Sequence, residues 1–225
     1  MNNHWARHFQ NYDRFMNNFS QYQETIKFHV LKHKYSKNIL DDGCGTGNLT
    51  LALLKNGKKV YAIDYEPAAI KIVRDKCIDY KKNLKLKTMN GQFLNYPDKT
   101  FDGVSSMFVI PFVEDNLKYV SEIFRVLKSD GIAVISAWIP REDRHIKIVK
   151  SMEEEFKFKK VLPKYQKEWE EFLETSKTNT KTVNSSYNTL NLKPTLEKVG
   201  FINIKLNKKT PYGEYAHFFT CQKPN

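Results

Sequence analysis

Ile39-Leu40-Asp41-Asp42-Gly43-Cys44-Gly45-Thr46-Gly47-Asn48-Leu49-Thr50 runs from an apolar strand end, through two aspartates and a three-glycine loop, into an apolar helical run that continues to Leu54. Glycines at such a bend permit a tight turn and let a ligand lie against bare backbone. The helix that follows turns its unpaired N–H groups and the positive end of its dipole toward that ligand. A strand, a glycine loop and a helix in this order open an α/β fold.

Two ligand classes use such a turn. The dinucleotide fingerprint places its third glycine five positions after the first, and that position is Asn48 here. Asp41 and Asp42 directly before the loop would repel a pyrophosphate at close range and suit a ligand with an ammonium or sulfonium group. The stretch resembles motif I of the class I S-adenosylmethionine-dependent methyltransferases, L-D-x-G-C-G-T-G. The resemblance implies a Rossmann-like, doubly wound sheet, mostly parallel with an antiparallel C-terminal hairpin strand and helices on both faces. It implies S-adenosylmethionine as cofactor and S-adenosylhomocysteine as product. By it, Asp41 is the acidic residue near the methionine amino group and Asp42 fills a variable slot. Gly43, Cys44, Gly45 and Gly47 form the cofactor loop, with Cys44 there for backbone fit and not as a nucleophile.

Around this loop the chain alternates strand and helix. Asn38 to Asp42 is the first strand, and its helix ends before Gly57. Lys59 to Asp64 reads as the second, with Asp64 at its tip 21 positions after Gly43, where such folds place a carboxylate for ribose hydroxyls. Tyr65 follows it into the cofactor set, and Pro67 opens a helix to Cys77. Leu84 to Met89 alternates as a strand should. Asn90-Gly91-Gln92-Phe93 stands where the family usually reads Gly-Asp-Ala; the Gln92 amide oxygen can accept the adenine amino hydrogen bond, and Phe93 offers a ring to the base. Phe101 to Met107 resembles the fourth strand, with Met107 at the cofactor.

Phe108-Val109-Ile110-Pro111-Phe112 then replaces the polar pair that often faces the substrate, so no histidine base is available there. It also excludes the Asp/Asn-Pro-Pro-aromatic tetrapeptide used on exocyclic base amines. Leu117, Val120, Phe124 and Leu127 line one face of the next helix. Arg125 to Gly131 resembles the family's Arg-Val-Leu-Lys-x-Gly-Gly turn with Asp130 for the first glycine, and Ile132 to Ala137 is the fifth strand, ending at Trp138.

The flanks divide the chain into a helical cap at 1–35, a core at 36–140 and 192–225, and a helical insertion at 141–191 that reads as either a substrate lid or a plain surface helix pair. In the cap, Tyr12-Asp13 resembles a pair that sits over the methionine end of the cofactor. The insertion reads as two helices, with 175–191 as loop. Leu192 to Val199 is a helix, and Phe201 to Leu206 pairs with Glu214 to Cys221 through the turn Pro211-Tyr212-Gly213.

Composition bounds the function. The 225 residues suit one sizeable domain, no apolar run is long enough for a membrane span, and the N-terminus lacks a signal-peptide core. Three scattered cysteines suggest neither a disulfide framework nor a metal site, so the expected protein is soluble and cytoplasmic. The net charge of +12 rests on 37 basic residues of which six are arginine, which reads as a solvated lysine surface more than a phosphate-binding face.

The reading that follows is a methyltransferase moving a methyl group by in-line displacement to a nitrogen or oxygen of a small molecule, in a pocket built from Tyr12, Tyr22, Phe112, Trp138 and the lid. His4, His8, His145 and His217 are the histidines placed to act as a base, and none is singled out as catalytic. Two alternatives stand beside it: a tRNA, rRNA or protein methyltransferase using the lysine surface, and a non-catalytic S-adenosylmethionine-binding module. Oligomeric state is not written in the sequence.

Overall fold

A computed structural model describes residues 4–139, 141, 143–182, 192–207 and 209–225, with backbone alone for 4–8, 10 and 177–182. Among the described residues seven strands form one sheet: β1 (Asn38–Asp42), β2 (Lys59–Asp64), β3 (Leu84–Thr88), β4 (Phe101–Met107), β5 (Leu127–Trp138), β6 (Ile202–Leu206) and β7 (Ala216–Gln222). Their spatial order is β3-β2-β1-β4-β5-β7-β6, with β1 to β5 parallel and β7 antiparallel to both β5 and β6. The central strands are buried on both faces, which is why β1 and β4 carry apolar residues without strict alternation. The open β3 edge alternates lysine with leucine. Lys85 and Lys87 lie 5.3 and 5.9 Å from the ring centres of Tyr61 and Tyr96, so part of the lysine excess guards an edge against strand pairing.

Helices α1 (His4–Met16), α2 (Ser20–Lys32), α3 (Asn48–Lys55), α4 (Pro67–Lys76), α5 (Asn116–Val126), α6 (Arg144–Phe158), α7 (Gln166–Thr182) and α8 (Leu192–Val199) cover the sheet. Ile39, Val60 and Phe218 pack with residues of α2, α3 and α4 in one core, and Leu40, Ile63, Val104 and Phe219 pack with α5 and α8 in the other. The cap and the insertion share the first core. Phe15 of α1 sits among Phe156, Trp169 and Phe172, with ring centres 5.7, 5.1 and 5.2 Å away. Among the described residues no helix is long and apolar enough to cross a membrane.

Three local expectations need correction. The buried face of α5 is Tyr119, Val120, Ile123 and Val126; Leu117 is exposed and Leu127 already belongs to β5. Asp115 accepts from Lys118 N (2.9 Å) as the N-cap, and that starting point sets which of two adjacent stripes meets the sheet. Second, α7 continues through Thr182, so 175–182 is helix and not loop, while 183–191 lie outside the described residues. Third, β5 begins at Leu127: it pairs with Phe101, the register then shifts, and pairing resumes at Ile132 with Gly103. Asp130 stands in this irregularity at φ +61°, the left-handed region where a glycine is at ease.

Strand order reverses between β1 and β4. Ligands of such sheets bind in the crevice outside the carboxyl ends of the strands at that switch point. Register brings the relevant ends level, because Asp42 pairs with both Ile63 and Ser106, and Asp64 with Thr88.

Candidate active site

The last two residues of β1 point to opposite faces. Asp41 turns toward α3, where Thr50 Oγ1 donates to its Oδ2 at 2.5 Å. Asp42 turns toward α5 and meets Tyr119, whose hydroxyl also pairs with Ser106 Oγ at 2.9 Å; Asp42 Oδ2 is buried with no partner among the described residues. From the tip of β2, Asp64 accepts from Gly45 N through Oδ2 (2.8 Å) and from Glu66 N through Oδ1 (2.9 Å). Burial raises all three carboxyls, aided by their mutual repulsion at Asp41 and Asp42: Asp41 to about 7, Asp42 to about 8, and Asp64 above its ordinary value. Three such groups on adjoining strand ends make a well that a cation would relieve.

The loop between them is fixed from below, since Gly43 N and Cys44 N both donate to Ile63 O (2.9 and 2.8 Å). All three glycines have positive φ (75°, 52° and 81°), but they differ in surroundings. A Cβ on Gly43 would stand 2.3 Å from Val109 Cγ2, and one on Gly47 2.8 Å from Val73 Cγ2, whereas one on Gly45 would meet nothing within 4 Å. Gly43 and Gly47 are thus required by packing, and Gly45 leaves bare backbone open at the mouth of the acidic well. Cys44 is buried and free, and burial pushes its thiol up, as suits a packing residue.

The other expected cofactor residues fall around this centre in different states. Tyr65 and Phe93 are exposed, and Lys118 Nζ lies 3.6 Å over the Phe93 ring. Met107 is half-buried at the end of β4. Gln92 is buried, and its Oε1 accepts from Asp115 N at 2.7 Å, so the oxygen expected to face adenine already ties the β3–β4 connection to the start of α5. Any contact of Gln92 with the base would fall to that oxygen's second lone pair or to the amide N–H groups.

The cap does close on the loop. Asp13 accepts from Asn48 Nδ2 (2.9 Å) and forms an ion pair with Lys76, which also donates to Asn48 Oδ1 (2.8 Å); α1 is thereby bound to the first residue of α3 and the last of α4. Tyr12 and Tyr22 are hydrogen-bonded to each other with ring centres 5.9 Å apart, and burial raises both phenols. Of the expected substrate wall, Tyr12, Tyr22 and Trp138 line the same core, while Phe112 stands on the 3-10 turn Ile110–Phe112 and is 38% exposed. Trp138 stacks on Phe108 at 4.0 Å, and Phe108 is held at φ +62°, a strained conformation for an aromatic residue. His145 lies on α6 and His217 on β7 opposite Ala137; the side chains of His4 and His8 lie outside the described residues.

Sequence reading did not single out Thr50, Asn48, Lys76, Val109, Tyr119 or Tyr212 as site residues. It also missed a buried polar chain in which His29 of α2 and His33, the residue that caps its end, meet Ser105 and Ser136. Asn48 and Thr50 lie inside the motif, at the start of the helix that follows its loop, and that position was a usable signal; the rest depend on contacts remote in sequence.

This strand order, with paired acids and an open glycine loop at its switch point, is the arrangement that the resemblance to class I S-adenosylmethionine-dependent methyltransferases implies. Comparison with known proteins agrees with that expectation: residues 40–135 match the family described as methyltransferase domain. Among relatives, it is 32% identical over 99 residues to demethylmenaquinone methyltransferase of Tropheryma whipplei (44% of this chain, 41% of the relative). It is 33% identical over 99 residues to phosphatidylethanolamine N-methyltransferase of Cereibacter sphaeroides (43% and 48%). The chain thus spans less than half the length of these curated relatives. The crystal structure of the PH0226 protein from Pyrococcus horikoshii superposes with a TM-score of 0.68 at 18% identity, covering 96% of this chain and 97% of that one, a likeness of fold alone.

Proposed function

We propose that this chain binds S-adenosylmethionine in the crevice above β1, β2 and β4 and methylates a small molecule. The observation that carries the reading is the acidic well: Asp41, Asp42 and Asp64, all raised by burial, with Asp42 Oδ2 unpartnered among the described residues and Gly45 open beside them. A buried acceptor without a partner costs about 1–3 kcal/mol, and a cationic ligand offsets that cost where a pyrophosphate would add to it. The residues fit the cofactor on this ground. Asp41 and Asp42 would face its cationic end, Asp64 its ribose, and Phe93 with the Gln92 amide its base. When bound, S-adenosylmethionine supplies a methyl group on a sulfonium sulfur, already activated for displacement.

The chain's own part is to hold the acceptor in line and keep water out. The cap supports this role, because Asp13, Asn48 and Lys76 fasten α1 over the loop. We assign the acceptor atom to nitrogen or oxygen; relatives are named as an N-methyltransferase and as C-methyltransferases, so they do not choose between the atoms. Calorimetric titration with S-adenosylmethionine and S-adenosylhomocysteine tests the reading. Micromolar binding (about −8 kcal/mol) that Asp64→Ala weakens at least tenfold is expected. Absence of binding by well-folded protein sinks it.

A further inference from the structure

Phe93 is apolar and 61% exposed, so no core holds its ring. Its place in the fold is fixed all the same. Two residues earlier, Gly91 lies so close to the end of β1 that a Cβ there would stand 2.6 Å from Asp42 Oδ1. The segment around Phe93 therefore borders the acidic well.

The residues on either side of Phe93 are fastened to one helix. Before it, Gln92 Oε1 accepts from Asp115 N, the N-cap of α5, at 2.7 Å. After it, Leu94 N donates to Glu122 Oε2 (2.7 Å) and Leu94 O accepts from Arg125 Nη2 (2.8 Å). Arg125 Nη1 also donates to Tyr96 O at 2.7 Å. The ring itself is met by Lys118, whose Nζ lies 3.6 Å from its centre. Positions 115, 118, 122 and 125 are three, four and three residues apart, which puts them on one face of the helix. That face runs beside the buried one formed by Tyr119, Ile123 and Val126.

A lysine over an exposed phenylalanine is by itself an ordinary surface contact. Two things set this one apart. The backbone under the ring is pinned before and after it, so the ring is a fixed platform and not a loose side chain. The ammonium also takes one face only, because an exposure of 61% leaves the rest of the ring in solvent. The attraction of a cation for the ring face holds the ring's plane. It also draws electron density from that ring, which favours offset stacking of an electron-rich purine on the opposite face.

We propose that Lys118 is a positioning residue for the cofactor's base: it backs one face of the Phe93 ring, and adenine stacks on the other. The proposal rests on the methyltransferase reading, which brings S-adenosylmethionine to this crevice. Lys118 acts through Phe93 alone and takes no part in methyl transfer.

The experiment is calorimetric titration of the full chain with S-adenosylhomocysteine and, by competition against it, with S-ribosylhomocysteine, which lacks the base. The proteins are wild type, Lys118→Met, Lys118→Arg, Phe93→Leu and the double variant Phe93→Leu/Lys118→Met. Both side chains are exposed, so the thermal midpoints are expected to match wild type. Lys118→Met is expected to weaken S-adenosylhomocysteine about two- to fivefold and to leave S-ribosylhomocysteine unchanged. Lys118→Arg should bind S-adenosylhomocysteine as wild type does, and in the Phe93→Leu background the loss of Lys118 should have no effect. A loss shared by both ligands, or one that persists without the Phe93 ring, would mean that the ammonium attracts the ligand's carboxylate, and overturns the proposal. Tighter binding by Lys118→Met would mean that the lysine occupies the face the base needs, and overturns it too, as does no change at all. These outcomes leave S-adenosylhomocysteine bound to wild type and sink the proposal alone. Failure of well-folded wild type to bind S-adenosylhomocysteine sinks the methyltransferase reading and takes the proposal with it.

Discussion

Gly43 lets Val109 pack where its own side chain would be: a Cβ there would lie 2.3 Å from Val109 Cγ2. Gly45, two residues on, has open space at the same place and a φ of +52°. The same substitution should therefore fail in different ways. Gly43→Ala is expected to lower stability by about 2–4 kcal/mol through overpacking and left-handed strain, and Val109→Ala in the same chain should restore part of it. Gly45→Ala is expected to cost only about 1–2 kcal/mol yet abolish measurable cofactor binding. Urea unfolding and calorimetry on the three variants check this; a Gly45→Ala protein that binds like wild type would show that the bare backbone is not a ligand surface.

Thr50 Oγ1 is the side-chain donor to a carboxylate that burial has already made expensive to ionise. Thr50→Val keeps the shape and removes the donor. The expected loss is about 1–3 kcal/mol of stability, smaller at pH 6 than at pH 8, because the missing hydrogen bond served the charged form and Asp41 is mostly charged only above about 7. Equal losses at both pH values would show that the bond does not discriminate between the two forms.

Cofactor binding should itself be linked to protons. With Asp41 at about 7 and Asp42 at about 8, both are largely protonated at the lower end of the neutral range, and a cationic ligand favours their charged forms. Affinity for S-adenosylmethionine is expected to rise from roughly pH 6 to 8, with protons released to the buffer. Titrations in phosphate and in Tris should give different apparent enthalpies, and Asp42→Asn should shrink that difference. Identical enthalpies in the two buffers would rule out the linkage.

Much of the fold was legible because its signals are local. Strands β1, β2 and β4 fall where glycine, aspartate and proline bracket them, and Asp130 betrays a glycine-like backbone by replacing one in a recognisable turn. What stayed hidden is non-local. Gln92 reads as a base-facing amide until Asp115 N, 23 residues later, is found on its oxygen. Tyr212 reads as a turn residue until the hairpin carries it onto Trp138. The α7 tail reads as loop from its polar composition, yet α7 is held as a helix by packing against α1, which propensity cannot see.

The ion pair between Asp13 and Lys76 joins the cap to α4, with both side chains partly buried. Asp13→Ala should leave the sheet intact and loosen α1. Hydrogen exchange is expected to quicken in α1 while β1 and β4 keep their protection, and release of S-adenosylhomocysteine should speed several-fold. Unchanged exchange in α1 would mean that the aromatic packing around Phe15 holds the cap without this pair.

His29 and His33 share Ser105 (3.2 and 2.9 Å), fully buried, and Gly103 makes room for them: a Cβ there would stand 2.5 Å from His33 Nδ1. Burial first, with mutual repulsion at His29 and the nearby Lys58 at His33, lowers both to about 3. Such bases stabilise the fold above the unfolded value of about 6.5 and lose that contribution as pH falls toward 3. Asp41 and Asp42 act oppositely: raised in the fold, they contribute fully below about 3.9 and lose that contribution as pH rises through 7 and 8. Between roughly pH 4.5 and 6.5 two protons on each side cancel; above that the Asp41 and Asp42 carboxyls titrate. The ligand-free protein is therefore expected to keep a nearly constant urea midpoint from pH 5 to 6.5, then lose on the order of 2 kcal/mol by pH 8. Replacing both histidines by glutamine should turn the flat part into a decline with rising pH, whatever the variant's absolute stability. Wild-type stability that climbs from pH 6.5 to 8 would mean that the acidic well is ionised in the free fold, and that the glycine loop faces a site already charged before any ligand arrives.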